Sequence, residues 1–154
     1  MAKTGMYKLD FAVRVAGLKI KAAGFEALMK KTVAVLKKEP VLKAKMRGGT
    51  IHAVLTGDDD ISFLNAIYRG KEEPTDVISL SYFEQSDVPG EQNIVGEIMI
   101  SVDTAKKQAK SHKHSLEKEL HFLFAHGMLH LFGFDHEKPA EKKAMFKLQD
   151  KILK

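Results

Sequence analysis

Two histidines, His126 and His130, interrupt an otherwise apolar run over residues 122–134. The run is too short to span a bilayer, and it is typical of a buried helix in a globular domain. On a helix, positions four apart lie roughly 40° from each other on one face, one turn apart along the axis. Two imidazoles in this arrangement can share one metal ion, whereas burying them without partners is costly.

The residues after this pair offer a route to a third ligand. Gly133 follows His130 by three positions, and glycine can adopt the left-handed backbone that turns a chain sharply. Such a turn can bring His136 back toward His126 and His130. The pattern H-x3-H-x2-G-x2-H therefore predicts a metal site at the end of a C-terminal helix, with an open coordination position as in catalytic zinc sites. The alternative is that these histidines are satisfied polar residues on a buried helix.

The spacing of the three histidines matches that of the metzincin peptidases, with one difference. In that motif a glutamate directly follows the first histidine and acts as the general base, but here Gly127 occupies the position. Glycine cannot move a proton, and it costs about 1 kcal/mol inside a helix relative to alanine. We therefore expect Gly127 to serve close packing or ligand access, and a metallopeptidase or amide hydrolase stays only an alternative.

The remaining periodicity predicts the fold class. Alternating apolar residues predict strands over residues 7–15, 50–56, 77–83 and 94–100. Helices are predicted over 18–38, after the N-caps Asp58, Asp59 and Asp60, after Ser101, after Ser115, and over 139–153, where Pro139 suits the first turn. The order β-α-β-α-β-β-α-α-α predicts an α+β domain, with a small mixed β-sheet of about four strands packed with about five helices. We expect a single domain over residues 1–154.

Charge and composition narrow the partners and the metal. The net charge of +5 favours polyanions such as nucleic acid, although a lysine-rich solvated surface has the same balance. The absence of cysteine leaves histidine and carboxylates as metal ligands. Three imidazoles suit zinc, and nickel, copper and iron are compatible. The start of the chain is too polar for a signal peptide. The absence of cysteine fits a cytoplasmic protein, and we expect no membrane partner.

Three segments together resemble one family. HGMLHLFGFDH resembles the signature H-G-x-L-H-L-x-G-x-D-H of the YbeY family, bacterial metal-dependent endoribonucleases involved in ribosomal RNA maturation. LNAIYRGKEEPTDVISLSY resembles the family's segment L-N-x-x-Y-R-G-K-D-x-P-T-D-V-L-S-F, and VGEIMISVDTA resembles its G-D-I-x-I-S segment. These matches lie in the expected order over roughly the C-terminal two thirds of the chain.

The resemblance implies a zinc-type ion held by His126, His130 and His136. It implies that Arg69 and Lys71 lie near the metal and matter for activity, and it places the family's acidic residue at Glu97.

The chain departs from the family pattern at three positions. Glu97 and Glu72 stand where the family commonly has aspartate, and Leu80 replaces an aromatic residue. Glu97 could accept a proton in catalysis or bind nothing. Asp135 could orient His136 or only shape the turn.

The predicted function is a metal-dependent endoribonuclease, and the resemblance implies a preference for single strands and a role in ribosomal RNA maturation and ribosome quality control. Its expected partners are RNA, ribosomal RNA and ribosomal subunits. In this hypothesis the Arg69 guanidinium binds a phosphodiester through paired hydrogen bonds, and Lys71 contacts a neighbouring phosphate.

The serious alternative is a non-enzymatic ribosome- or RNA-binding assembly factor with a structural metal. The lysine-rich residues 106–118 and the basic N-terminal helix would then carry the function. Solvated or structural roles are expected for the other four histidines, His52, His112, His114 and His121.

Overall fold

The computed structural model describes residues 6–83, 93–135 and 137–154 and contains one four-stranded sheet within these ranges. The strands are β1 (Tyr7–Val13), β2 (Gly49–Thr56), β3 (Val77–Ser81) and β4 (Ile94–Ser101), in the order β1-β2-β4-β3. β1 and β4 run parallel to β2, and β3 pairs antiparallel with β4. The sheet is therefore mixed, as the sequence predicted.

Six helices pack on this sheet in the described parts of the chain. They are α1 (Ala22–Leu36), α2 (Pro40–Lys45), α3 (Asp58–Arg69), α4 (Val102–His112), α5 (Leu116–Leu131) and α6 (Pro139–Leu153). The α+β class is confirmed. Within the described residues, none of the helices combines the length and the apolar composition of a membrane span.

The two faces of the sheet have different coverings because successive strand residues point to opposite sides. On one face, Ile51, Ala53 and Ile98 join the main core, to which α1 and α5 contribute. On the other face, Ile78 and Met99 form a smaller cluster with Ile61 of α3. The side chains of successive strand residues therefore alternate between the main core, on the α1 and α5 side of the sheet, and the smaller cluster, on the α3 side.

Helix α5 is the central helix of the main core. It contacts β3, β4, α1, α4 and α6, and most of its side chains are buried: Glu119, Leu120, Leu123, Phe124, Ala125, Met128, Leu129 and Leu131. A helix that is apolar on nearly every side is typical of the interior of a domain. His126 and His130 are half-buried, so they stand where this helix meets a cleft.

The predicted helix boundaries hold at several caps. The Ser101 and Ser115 side chains accept hydrogen bonds from the backbone N–H groups of Thr104 and Lys118, and so cap α4 and α5. Pro139 lies in the first turn of α6. Gly133 follows the end of α5 with a left-handed φ of 96°, which is the turn that the sequence predicted.

Three details of the predicted helices were wrong, and β1 and β3 end two residues earlier than predicted, at Val13 and Ser81. The first helix begins at Ala22 rather than at residue 18, because Leu18 and Ile20 pack against the core from irregular backbone that precedes the helix. Helix α2 was missed, since this six-residue helix buries none of its side chains and leaves no apolar period. The N-cap of α3 is Gly57, and Asp58 lies within the first turn, where an acidic side chain still complements the helix dipole.

Candidate metal centre

His126 and His130 converge on one point from successive turns of α5. The two Nε2 atoms lie 3.1 Å apart, and the ring centroids lie 4.7 Å apart. Two imidazole ligands of one tetrahedral zinc ion, each about 2.0–2.1 Å from the metal, would have their nitrogens about 3.3 Å apart. The spacing of this pair therefore fits two ligands of a single ion.

Gln149 of α6 sets the tautomer of His126. This side chain is 1% exposed, and its amide Nε2 donates to the backbone carbonyl of Phe122 over 3.2 Å. Because a carbonyl can only accept, the amide oxygen of Gln149 must face Nδ1 of His126, 3.1 Å away. Nδ1 of His126 then carries the proton, and its Nε2 presents a lone pair toward His130. A metal-ligating histidine is commonly held in this way.

The third predicted ligand, His136, lies outside the described residues. Its neighbours on both sides, Asp135 and Glu137, line the same cleft as His126 and His130. The chain reaches the cleft through Gly133, whose N–H donates to the carbonyl of His130. Binding of a metal by His126, His130 and His136 stays a prediction.

The cleft beside the histidine pair has a volume of about 660 Å3 and is mostly polar in its lining. Arg69, the last residue of α3, lies at this cleft together with Thr75, Asp76 and Ser79. The structure thus brings together three residues that are far apart in the sequence, namely Arg69, His126 and His130. A cation opposite a potential metal site suits a substrate with negative charge.

The segment after Arg69 is held by hydrogen bonds to neighbouring elements. Gly70 ends α3 in left-handed backbone with a φ of 70°, and the Asn65 amide donates to the carbonyl of Glu73 over 2.8 Å. The Asp76 carboxylate accepts from the N–H of Val77 over 2.7 Å. These contacts fix the loop that follows Arg69, which lies at the rim of the cleft.

Lys71 is exposed just beyond the left-handed turn at Gly70. Its backbone N–H donates to the carbonyl of Asn65, but its side chain is not part of the cleft lining. A phosphate that contacts Lys71, as predicted, would therefore lie outside the cleft.

Glu97 lies on the opposite face of the sheet from α5. It stands on β4 beside Ile98, which contacts the α5 side, and it lines a different cavity of about 500 Å3 with His52 and Tyr68. The Tyr82 hydroxyl donates to its carboxylate over 2.9 Å, and this hydrogen bond, together with burial, raises the pKa of Tyr82. The structure does not bring Glu97 to the histidine pair, so its catalytic role stays a prediction.

Gly127 serves close packing between α5 and the sheet. A Cβ at this position would lie 3.0 Å from Cγ2 of Ile98 and 3.1 Å from Oγ of Ser79. A glutamate there would point into β3 and β4 rather than toward a ligand on the histidine pair. Because close packing requires glycine at this position, the chain lacks there the glutamate that serves as general base in a metzincin-type peptidase.

A second group of histidines lies where α4 meets α5. His112, His114 and Glu119 place their ligand atoms within 4.8 Å of one another, and in the described parts of the chain this group could hold a metal ion. The sequence predicted solvated or structural roles for these two histidines, but it did not predict their contact with Glu119. The turn between the helices brings them together, and no helical period predicts it.

Gln149 and Ser79 are the site residues that sequence reasoning missed. Gln149 had a detectable signal, because it interrupts the buried stripe of α6 formed by Met145 and Ile152. A polar residue on such a stripe needs a hydrogen-bond partner. Ser79 had no comparable signal, since its position in the cleft depends on how α5 packs against β3.

Comparisons with known proteins agree with this arrangement. The family described as Endoribonuclease YbeY matches residues 11–154. A curated Endoribonuclease YbeY from Lysinibacillus sphaericus is 47% identical over 102 residues, which cover 62% of this chain and 65% of the relative. The protein of the same name from Acholeplasma laidlawii is 41% identical over 115 residues, which cover 75% and 80% of the two chains.

A solved structure is also similar to this chain. The solution structure of a Thermotoga maritima protein shares 27% identity, with a TM-score of 0.56, and the match covers 95% of this chain and 87% of that one.

These findings favour RNA cleavage over the binding-factor and peptidase alternatives. The family match spans the strands and helices that build the cleft, and it includes Arg69, His126, His130 and His136. The chain therefore belongs to the YbeY family of endoribonucleases.

Proposed function

We propose that this chain is a metal-dependent endoribonuclease that hydrolyses phosphodiesters in single-stranded regions of ribosomal RNA, in the cytoplasm and in contact with ribosomal subunits. His126, His130 and His136 hold the ion, which is zinc or a similar divalent transition metal. The observation that carries the proposal is the meeting of the two Nε2 atoms, 3.1 Å apart, in a cleft that also contains Arg69.

The donor set supports a borderline metal such as zinc. Neutral imidazole is a good ligand for zinc, nickel, copper and iron, and Gln149 holds His126 in the tautomer that ligates through Nε2. When bound, a divalent ion lowers the pKa of water and stabilises negative charge on a phosphoryl oxygen. No glutamate after His126 is needed for that chemistry.

The protein's own contribution is to position and neutralise the phosphodiester. Arg69 extends from the C-terminal end of α3 to the cleft, and its guanidinium matches two phosphate oxygens through paired hydrogen bonds. Such donors stabilise the charge that develops as the nucleophile attacks. Lys71, exposed two positions further on, contacts a neighbouring phosphate and adds a salt-dependent part of the affinity.

Cleavage of an end-labelled single-stranded RNA by the purified chain tests the proposal, with the matching duplex as a second substrate. A chelator should stop cleavage, and zinc should restore it. Arg69→Lys keeps the charge but loses the paired hydrogen bonds, so the rate should fall about 100-fold. Arg47→Lys, at an exposed arginine just after α2, is the matched control. Equal rates for Arg69→Lys and the parent would show that Arg69 does not take part in the reaction. Cleavage that persists in the presence of chelator would show that the reaction does not require a metal.

A further inference from the structure

The turn between α4 and α5 gathers two imidazoles around one buried carboxylate. Nδ1 of His112 lies 2.8 Å from Oε1 of Glu119, and Nε2 of His114 lies 3.3 Å from Oε2. Lys113, between the histidines, has a φ of 58° and is the one non-glycine residue with left-handed backbone among those described. This backbone, which is uncommon outside glycine, turns both rings toward Glu119.

The burial of Glu119 makes this group unusual. Its side chain is 1% exposed, whereas that of His112 is 55% exposed. Carboxylates are rarely buried so completely unless they are paired or coordinate a metal. The carboxylate is therefore fixed inside the protein, while one of its partners opens the site to solvent.

The three side chains form a recognised type of donor set. Two imidazole nitrogens and a carboxylate oxygen bind zinc in many catalytic sites and leave positions for water. Their ligand atoms lie within 4.8 Å of one another, so small rotations of the exposed His112 ring would close them around an ion. The site also lies at the C-terminal end of α4, where the helix dipole favours a cation.

We propose that His112, His114 and Glu119 bind a second transition metal ion of the zinc type, which holds α4 against α5. This site is distinct from the histidine pair: Glu119 precedes His126 by seven residues, about two helical turns or roughly 10 Å along α5. The proposal does not depend on the proposed nuclease function. It predicts that the chain binds one more equivalent of metal than the His126 site can account for.

Metal stoichiometry of the full-length chain tests the second site. The metal-free protein is titrated with zinc against a chromophoric chelator, and the bound zinc is counted by elemental analysis. His126→Ala should retain one tightly bound equivalent, and adding His112→Ala to it should remove that equivalent. His112 is chosen because its exposed ring can be removed without opening the core, and His52→Asn on β2 is the matched histidine control.

Two further measurements keep the outcome decisive. Zinc should raise the melting temperature of His126→Ala but not that of the double variant, and Glu119→Gln should behave like His112→Ala. A retained equivalent that survives His112→Ala would overturn the proposal, as would binding only at millimolar zinc. Loss of all metal in His126→Ala would also overturn it, and would make this group a metal-free hydrogen-bonded link between the helices.

Discussion

Replacing Gln149 with methionine tests whether α6 prepares His126 for a metal. Methionine has about the length and volume of glutamine, so the change removes polar atoms without leaving a large cavity. The lost contacts are the 3.1 Å hydrogen bond with Nδ1 of His126 and the 3.2 Å hydrogen bond to the carbonyl of Phe122. The imidazole then loses the acceptor that fixes its tautomer and orientation.

Two effects of different size follow from this loss. Removing such a partner of a metal-ligating histidine typically lowers metal affinity 10- to 100-fold, which is about 1.4 to 2.8 kcal/mol. Loss of a buried hydrogen bond costs the metal-free fold about 1–3 kcal/mol. For a chain of this length, each kcal/mol lowers the melting temperature by roughly 2–4 °C.

Competition with a chromophoric chelator measures the zinc affinity of the parent and of Gln149→Met, and thermal unfolding of the metal-free proteins measures stability. Thr32→Val is the matched control, because it removes a buried side-chain hydrogen bond of 2.7 Å within α1, and none of the described residues that line the cleft belongs to α1. We expect both variants to melt earlier and only Gln149→Met to bind zinc more weakly. Equal zinc affinity for Gln149→Met and the parent would refute the assignment of the His126 tautomer to Gln149.

Two further predictions concern the packing and the pH response of α5. In Gly127→Ala the new Cβ would lie 3.0 Å from Cγ2 of Ile98. Overpacking of about 1–3 kcal/mol then opposes a helix-propensity gain of about 1 kcal/mol. Urea unfolding should show a net loss of stability, and a clear gain would contradict the close contact. Burial lowers the pKa of His121, with Glu117 opposing the shift. The unfolded chain therefore takes up a proton at this position before the folded one, and stability falls as the pH drops below about 6.5. Urea unfolding at several pH values should show a weaker decline for His121→Gln, and an unchanged decline would show that His121 does not contribute.

The sequence predicted the elements whose signals are local. Apolar alternation predicted all four strands, and the Ser101, Ser115 and Pro139 positions predicted three helix starts. Helix α2 had no such signal because it contributes no buried side chain. Local pattern therefore accounts for nearly all of the fold, and the helix it missed is a short one with no fully buried side chain.

The site was less predictable because it depends on how elements meet. The shared face of His126 and His130 follows from the helical period alone, and their convergence agrees with that expectation. The position of Glu97 could have been inferred from strand parity, since its neighbour Ile98 belongs to the main core. The contact of Gln149 with His126 could not be predicted because it depends on the packing of α6 on α5. The contact of Glu119 with His112 likewise depends on the turn after α4.

The central claim is that RNA cleavage depends on a metal held by the histidines of α5. The most direct test is cleavage of a labelled single-stranded RNA by the parent and by His126→Ala, purified identically, with the metal content of both determined. The account predicts cleavage by the parent alone, together with loss of the metal that His126 helps to hold. Equal traces of cleavage in both proteins, with metal bound in the parent, would indicate a contaminating nuclease and would favour an RNA-binding factor with a structural metal.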